Sequence, residues 1–111
     1  MSNKISESEA FVLLGKRRRR LGLRMLQEST TPVSVKTLAD RIGDHECEHP
    51  AVEDLQTIYI SLIHNHLPKL EKAHVISYDR DAGVVSPGLN FDVLIRMMEN
   101  VDERDLPWSG M

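Results

Sequence analysis

Apolar residues along this chain recur mostly at intervals of three and four, and the pattern turns to alternation near residues 75–86. Ser6 followed by Glu9 has capping-box spacing, and Ala10, Phe11, Leu13 and Leu14 give the helix it starts an apolar side. Gly15 is expected to loosen or break that helix. A second helix is predicted from about Lys16 to Glu28, with Leu14, Leu21 and Met25 on one face and Leu26 beside it. Residues 29–32, STTP, read as a turn, and Val33 as a short strand. Ser34 then caps a third helix, predicted over 35–42, with Leu38, Ala39 and Ile42 inward and Gly43 as its stop. After a polar, acidic connection over 44–53, a fourth helix is predicted from about Asp54 to Ala73 on Leu55, Ile58, Tyr59, Leu62, Ile63, Leu67 and Leu70. Pro68 cannot donate to the helical ladder, so a kink or fresh start is expected there. Residues 75–78 and 84–86 alternate as strands, joined by DRDAG at 79–83 into a hairpin. Pro87 and Gly88 break the chain, and a last helix over 90–101 carries Phe91, Leu94, Ile95, Met98 and Val101 on one face.

The predicted order is helix, helix, short strand, helix, helix, hairpin, helix. A trihelical core followed by a two-stranded wing is the winged helix-turn-helix pattern: mainly α with a small β-hairpin, an α+β fold. The fourth helix takes the recognition position and residues 75–86 the wing. Residues 1–101 are expected to form one domain with flanking dimerisation helices at both ends, and 102–111 a loosely ordered tail. The length of 111 residues suits one domain with one modest core. With 41% hydrophobic but only 5% aromatic residues, that core must be aliphatic. No apolar run is long enough to span a membrane, the polar N-terminal stretch does not read as a signal peptide, and Cys47 is the one cysteine. A cytoplasmic location is therefore expected.

Net charge is −3, which argues against DNA binding, since nucleic-acid binders usually carry net positive charge. The charge is uneven, however: Arg17 to Arg20 are consecutive, while acids collect at 44–54 and 102–105. Successive helical residues point about 100° apart, so the four arginines cannot share one face. Arg17 and Arg18 are candidate phosphate contacts; the plainer reading is a solvated helix face paired with acids. The polar stripe of the fourth helix is a candidate DNA contact through Thr57, Ser61, His64 and Asn65, with an ordinary exposed face as the plainer reading. Ser61 and Asn65 suit base edges, His64 either bases or phosphates, and Lys69 and Lys72 phosphates. Arg80, at the hairpin tip between Asp79 and Asp81, could reach the DNA backbone or sit in a charge-balanced turn. His45, Cys47 and His49 would lie on one side of an extended segment and could ligate zinc or another soft divalent ion; an ordinary acidic loop is the plainer alternative, and no metal or cofactor is expected. No glycine-rich phosphate loop or nucleophile motif points to an enzyme. The last helix, 90–101, is expected to serve as a homodimer seam, against the alternative of packing on its own core.

Segment 13–21, LLGKRRRRL, resembles the opening of ArsR-like winged helices, and 32–42, PVSVKTLADRI, looks like their second helix. Segment 58–80, IYISLIHNHLPKLEKAHVISYDR, is similar to a haloarchaeal winged-helix family, most specifically at His66–Leu67–Pro68–Lys69–Leu70 and Tyr78–Asp79–Arg80. The resemblance spans roughly residues 8–87 and implies a dimeric, DNA-binding transcription regulator of archaeal type. Two departures stand out. The family has Gly where this chain has His74, at a position expected to close a helix with positive φ, and basic residues where this chain has Gln56 and Thr57. A winged helix that binds a protein instead of duplex DNA, and a metal- or redox-responsive repressor on the same fold, are the alternatives.

Overall fold

Side-chain caps start two of the helices. Ser6 Oγ accepts from the Glu9 N–H at 3.1 Å and opens α1 (Glu7–Leu14); Ser34 Oγ accepts from the Thr37 N–H at 3.0 Å and opens α3 (Val35–Glu46). Between them run α2 (Arg17–Glu28) and the two-residue β1 (Val33–Ser34). The computed structural model describes residues 4–100. The predicted tail, 102–111, and Val101 lie outside the described residues.

Helix α3 does not stop at Gly43 but runs three residues further. The reason is packing. A Cβ at Gly43 would stand 2.5 Å from Leu55 Cδ2 and 3.6 Å from Ile58 Cδ1, so the glycine is where the next helix comes closest. Its poor helix propensity is outweighed by that approach.

The predicted fourth helix is three pieces. α4 (Val52–Ser61) begins two residues early, with the Ala51 N–H donating to Asp54 Oδ2 at 2.9 Å. A π-helical turn follows over Leu62–His66, closed by the Leu67 N–H on the Leu62 carbonyl, and α5 (Leu67–Lys72) completes the rod. The kink expected from Pro68 takes this form. In a regular helix the proline ring would collide with the carbonyl four residues back, and the wider turn just before it relieves that clash.

Helix α5 ends in a Schellman motif. The Val75 N–H bonds to the Leu70 carbonyl at 2.9 Å, the His74 N–H to the Glu71 carbonyl at 2.9 Å, and His74 has φ of 59°. Leu70 and Val75, the hydrophobic pair of that motif, are both buried. His74 thus holds the left-handed conformation that glycine adopts freely. Substituting His74→Gly is expected to raise stability by about 0.5–1 kcal/mol, because relief of left-handed strain exceeds the added entropy of the unfolded chain. Urea denaturation of both proteins would measure it, and a loss of stability would show that the strain is absent.

Strands β2 (Ile76–Asp79) and β3 (Val84–Pro87) form the predicted hairpin, and β1 joins on the far side of β3, giving the antiparallel order β1-β3-β2. The hairpin loop is held by Asp79, whose Oδ1 accepts from the N–H groups of Asp81 and Ala82, both at 3.1 Å. The Gly83 carbonyl accepts from the Val35 N–H at 3.0 Å, tying the loop to the start of α3. Chain direction reverses again at Gly88, where a Cβ would stand 2.8 Å from the His74 carbonyl oxygen. Asn90, buried, donates through Nδ2 to the Ala73 carbonyl at 2.9 Å and so anchors α6 (Phe91–Asn100) to the end of α5.

The result is an α+β winged-helix arrangement with an aliphatic core. Leu14, Leu23, Leu38, Ile42, Ile58, Val75, Val85 and Leu94 are fully buried and come from α1, α2, α3, α4, the sheet region and α6. Leu94 corrects the expectation for the last helix. Phe91, Leu94 and Ile95 are buried in the chain's own core, and Met98 packs against it. The stripe read as a dimer seam is therefore spent within the monomer. What α6 leaves outside is Val93, with Met97 partly buried, beside Ile5 and Phe11 at α1. No described helix is long and apolar enough to cross a membrane.

Candidate nucleic-acid interface

The arginine run begins where α1 ends, at Gly15, and that junction decides what each arginine does. A helix leaves its last carbonyls without intrahelical partners. Arg19 NH1 donates to the carbonyls of Val12 and Leu13, both at 3.3 Å, and Arg20 NH1 to that of Leu14 at 2.7 Å. These two arginines cap α1 from the following helix. Arg19 is only 3% exposed, and its Nε donates to Nδ1 of His66 at 3.0 Å. Burial pushes the Arg19 pKa down from its ordinary value.

Arg18 forms a two-pronged pair with Glu46 at the end of α3: Nε to Oε2 at 2.7 Å and NH2 to Oε1 at 2.9 Å. The hydrogen bonds to each other raise the Arg18 pKa and lower that of Glu46. Of the four, Arg17 alone is exposed; Arg18 and Arg20 are half-buried and Arg19 is buried. Of the two sequence candidates here, Arg17 faces solvent and Arg18 is tied across to α3.

His66 closes the π-helical turn and is 4% exposed. Its pKa is lowered to about 4, first by burial and then by the positive charges of Arg19, Arg18, Lys69 and Lys16. It is therefore neutral, and because Nδ1 accepts from Arg19 its proton sits on Nε2. Sequence reasoning did not assign this pair. Its signals were present: arginines just past a helix-ending glycine, and a histidine immediately before Leu67–Pro68.

The recognition-position helix, 52–72, has two dissimilar halves. Around the π turn and α5, Lys16, Arg17, Arg18 and Lys69 surround the His66–Asn65 corner, with Lys72 one turn beyond Lys69. Asn65 lines a cleft with Lys16, Arg17, Arg18, Glu46 and His66, and His64 is exposed. The α4 half carries Glu53 and Asp54 in its first turn and exposed apolar side chains: Val52 at 67%, Ile60 at 56% and Tyr59 at 40%. Thr57 is exposed but bonds back to the Glu53 carbonyl at 2.9 Å, and Ser61 is half-buried.

Arg80 is folded back from the hairpin. Its guanidinium pairs with Glu71 of α5 at 2.8 and 3.1 Å and lies 4.7 Å over the Tyr78 ring. Hydrogen bonding to Glu71 raises its pKa and lowers that of Glu71. The wing tip is thus stapled to α5.

The three candidate soft ligands are not brought together. His45 lies in the last turn of α3, Cys47 caps that helix with its N–H on the Gly43 carbonyl at 2.8 Å, and His49 sits in the connection beyond. The overrun of α3 past Gly43 removes the extended geometry that would have aligned them. Among the described residues no three His, Cys, Asp or Glu side chains gather as a metal site would require.

A family model matches residues 11–86, from the end of α1 through most of the wing. It is a domain of unknown function, DUF7344. The chain belongs to this family. No curated protein and no solved structure matches the chain. The DUF7344 match covers α2, α3, the recognition-position helix and nearly all of the hairpin, the elements that build the basic corner.

Proposed function

We propose that this DUF7344 protein is a DNA-binding transcriptional regulator that approaches duplex DNA through the π-turn and α5 half of helix 52–72. The observation that carries the reading is the cluster of Lys16, Arg17, Arg18 and Lys69 around His66 on a winged-helix frame, in a chain whose overall charge is negative. Arg17, Lys69 and Lys72 supply phosphate contacts; His64 and Ser61 are the side chains available to base edges. Arg18 and Arg80 position their elements through Glu46 and Glu71. A homodimer, if it places two such helices in successive major grooves, separates half-sites by roughly 34 Å. Its seam is the outer side of α6 with α1, through Val93, Met97, Ile5 and Phe11, since Leu94 and Ile95 are spent on the core.

A second reading rests on a specific observation. Val52, Leu55, Tyr59 and Ile60 of α4 line an apolar groove with Lys36, Ala39 and Asp40 of α3, on the surface a helix-turn-helix ordinarily offers to DNA. Exposed apolar patches mark protein contacts. Under this reading α4 docks a protein partner.

Titration of labelled random duplex at several salt concentrations separates the two. The DNA reading expects binding whose logarithm falls with log salt at a slope of roughly −2 to −4, flattened by about one on Lys69→Ala or Lys72→Ala. Absence of duplex binding at low salt would move the function to the apolar groove.

A further inference from the structure

We propose that the cleft between the start of α2 and the π-helical turn is a phosphate-binding pocket. It has a volume of about 600 Å³ and is lined by Lys16, Arg17, Arg18, Glu46, Asn65 and His66. One wall is the N-terminus of a 12-residue helix. Lys16, its N-cap, makes no side-chain cap, and no acidic residue stands in the first turn. The leading N–H groups of α2 therefore keep their partial positive charge available to an anion.

The opposite wall supplies the independent observation. His66 is 4% exposed and lines the cleft, and its Nδ1 is taken by Arg19. The remaining Nε2–H has no hydrogen-bond acceptor among the described residues. Buried donors without acceptors are rare in folded proteins, and one on the wall of a cationic cleft calls for an oxyanion. Arg19 strengthens the case from behind His66. It is buried, and among the described residues its hydrogen bonds go to two carbonyls and a neutral imidazole, with no carboxylate. Buried charges are ordinarily paired. The carbonyl end of α1 offsets part of the Arg19 charge. The one acid in the cleft, Glu46, has both oxygens engaged by Arg18 and so offers little repulsion.

The lining carries donors on two walls: the α2 N-terminus with Lys16 and Arg17 on one, His66 and Asn65 on the other. A phosphate group, with its several strong acceptor oxygens, can meet donors on both walls at once, whereas a carboxylate has only two coplanar oxygens. The phosphate has two sources, the backbone of a duplex or a free phosphorylated small molecule, and the pocket chemistry is the same for both.

The test begins without nucleic acid. The full chain is titrated with inorganic phosphate against chloride of equal ionic strength, following the thermal midpoint and, by nitrogen-15 NMR, the Nε2–H of His66 and the amides of Arg17 and Arg18. Phosphate, and not chloride, should raise the midpoint and shift those signals. The doubly substituted chain Lys16→Ala with Arg17→Ala, both at exposed positions, should bind phosphate at least tenfold more weakly. Equal behaviour in phosphate and chloride, or unchanged phosphate affinity in the double variant, overturns the pocket. Duplex titration of the same variant then assigns the source. Loss of affinity for all sequences, with phosphate competing, identifies the DNA backbone; retained duplex binding alongside lost phosphate binding identifies a small molecule. Duplex binding with no phosphate response overturns the pocket alone, and phosphate binding with no duplex binding at low salt overturns the DNA reading alone.

Discussion

Replacing Arg19 with alanine is expected to lower folding stability by about 3–5 kcal/mol, a large share of what a domain of this size possesses. The loss has separable parts. The Leu13 carbonyl loses the Arg19 donor, the Val12 carbonyl keeps only the Gly15 N–H at 3.2 Å, and His66 Nδ1 is left as a buried acceptor with nothing to accept. Buried polar groups stripped of a partner cost about 1–3 kcal/mol each. The vanished stem also leaves a void between α1, α2 and the π turn. Arg19→Met fills most of that void and should recover part of the loss without restoring the hydrogen bonds. Urea denaturation of the three proteins measures both effects. A loss under about 1 kcal/mol for Arg19→Ala would show that the capping network contributes little.

Acidification should begin to destabilise the protein at a pH above that at which Glu46 and Glu71 start to contribute. His66 has a folded pKa of about 4, against 6.5 in the unfolded chain. The unfolded state therefore takes up the proton first as pH falls. The stability tied to neutral His66 is fully present above pH 6.5 and is lost progressively as pH drops towards 4, amounting to about 2–3 kcal/mol across that window. Glu46 and Glu71, held below their ordinary pKa by Arg18 and Arg80, act in the same direction but only at lower pH. Between pH 7 and 5 the slope should thus belong mainly to His66. His66→Gln, which cannot titrate, should flatten it; the same slope in parent and variant would assign the acid sensitivity elsewhere.

Local chemistry written into a few neighbouring residues was readable from the sequence. Ser6 and Ser34 announce helix starts and the alternation across 75–86 announces the hairpin, whereas the left-handed closure at His74 is legible only through the resemblance to a family that has Gly there. Features set by distant partners were not. Gly43 looks like a stop until Leu55 is seen to need the space. The stripe of Phe91, Leu94 and Ile95 looks the same whether it covers its own core or a second copy. The arginine run reads as surface charge, because nothing local tells Arg17, which faces solvent, from Arg18 on Glu46 or from Arg19 and Arg20 on the end of α1. The basic corner around His66 joins residues about fifty positions apart in sequence, 16–19 with 65–69. Only the folded chain brings it together.

The π-helical turn also constrains how this chain can change in length. It holds one residue more than an α-helical turn would, so everything beyond Leu67 is rotated by about 100° relative to an uninterrupted continuation of α4. Deleting a single residue within 62–66 would let the rod close into ordinary α-helix, a gain in local hydrogen bonding. The same deletion would leave Leu67 and Leu70 on the core and Lys69 beside the His66 corner, because the residue removed is the one that the wide turn absorbs. What opposes it is Pro68, whose ring would then press onto the preceding turn. Relatives that share the Leu-Pro-Lys-Leu segment should therefore keep the residue count of this stretch fixed even where its side chains drift.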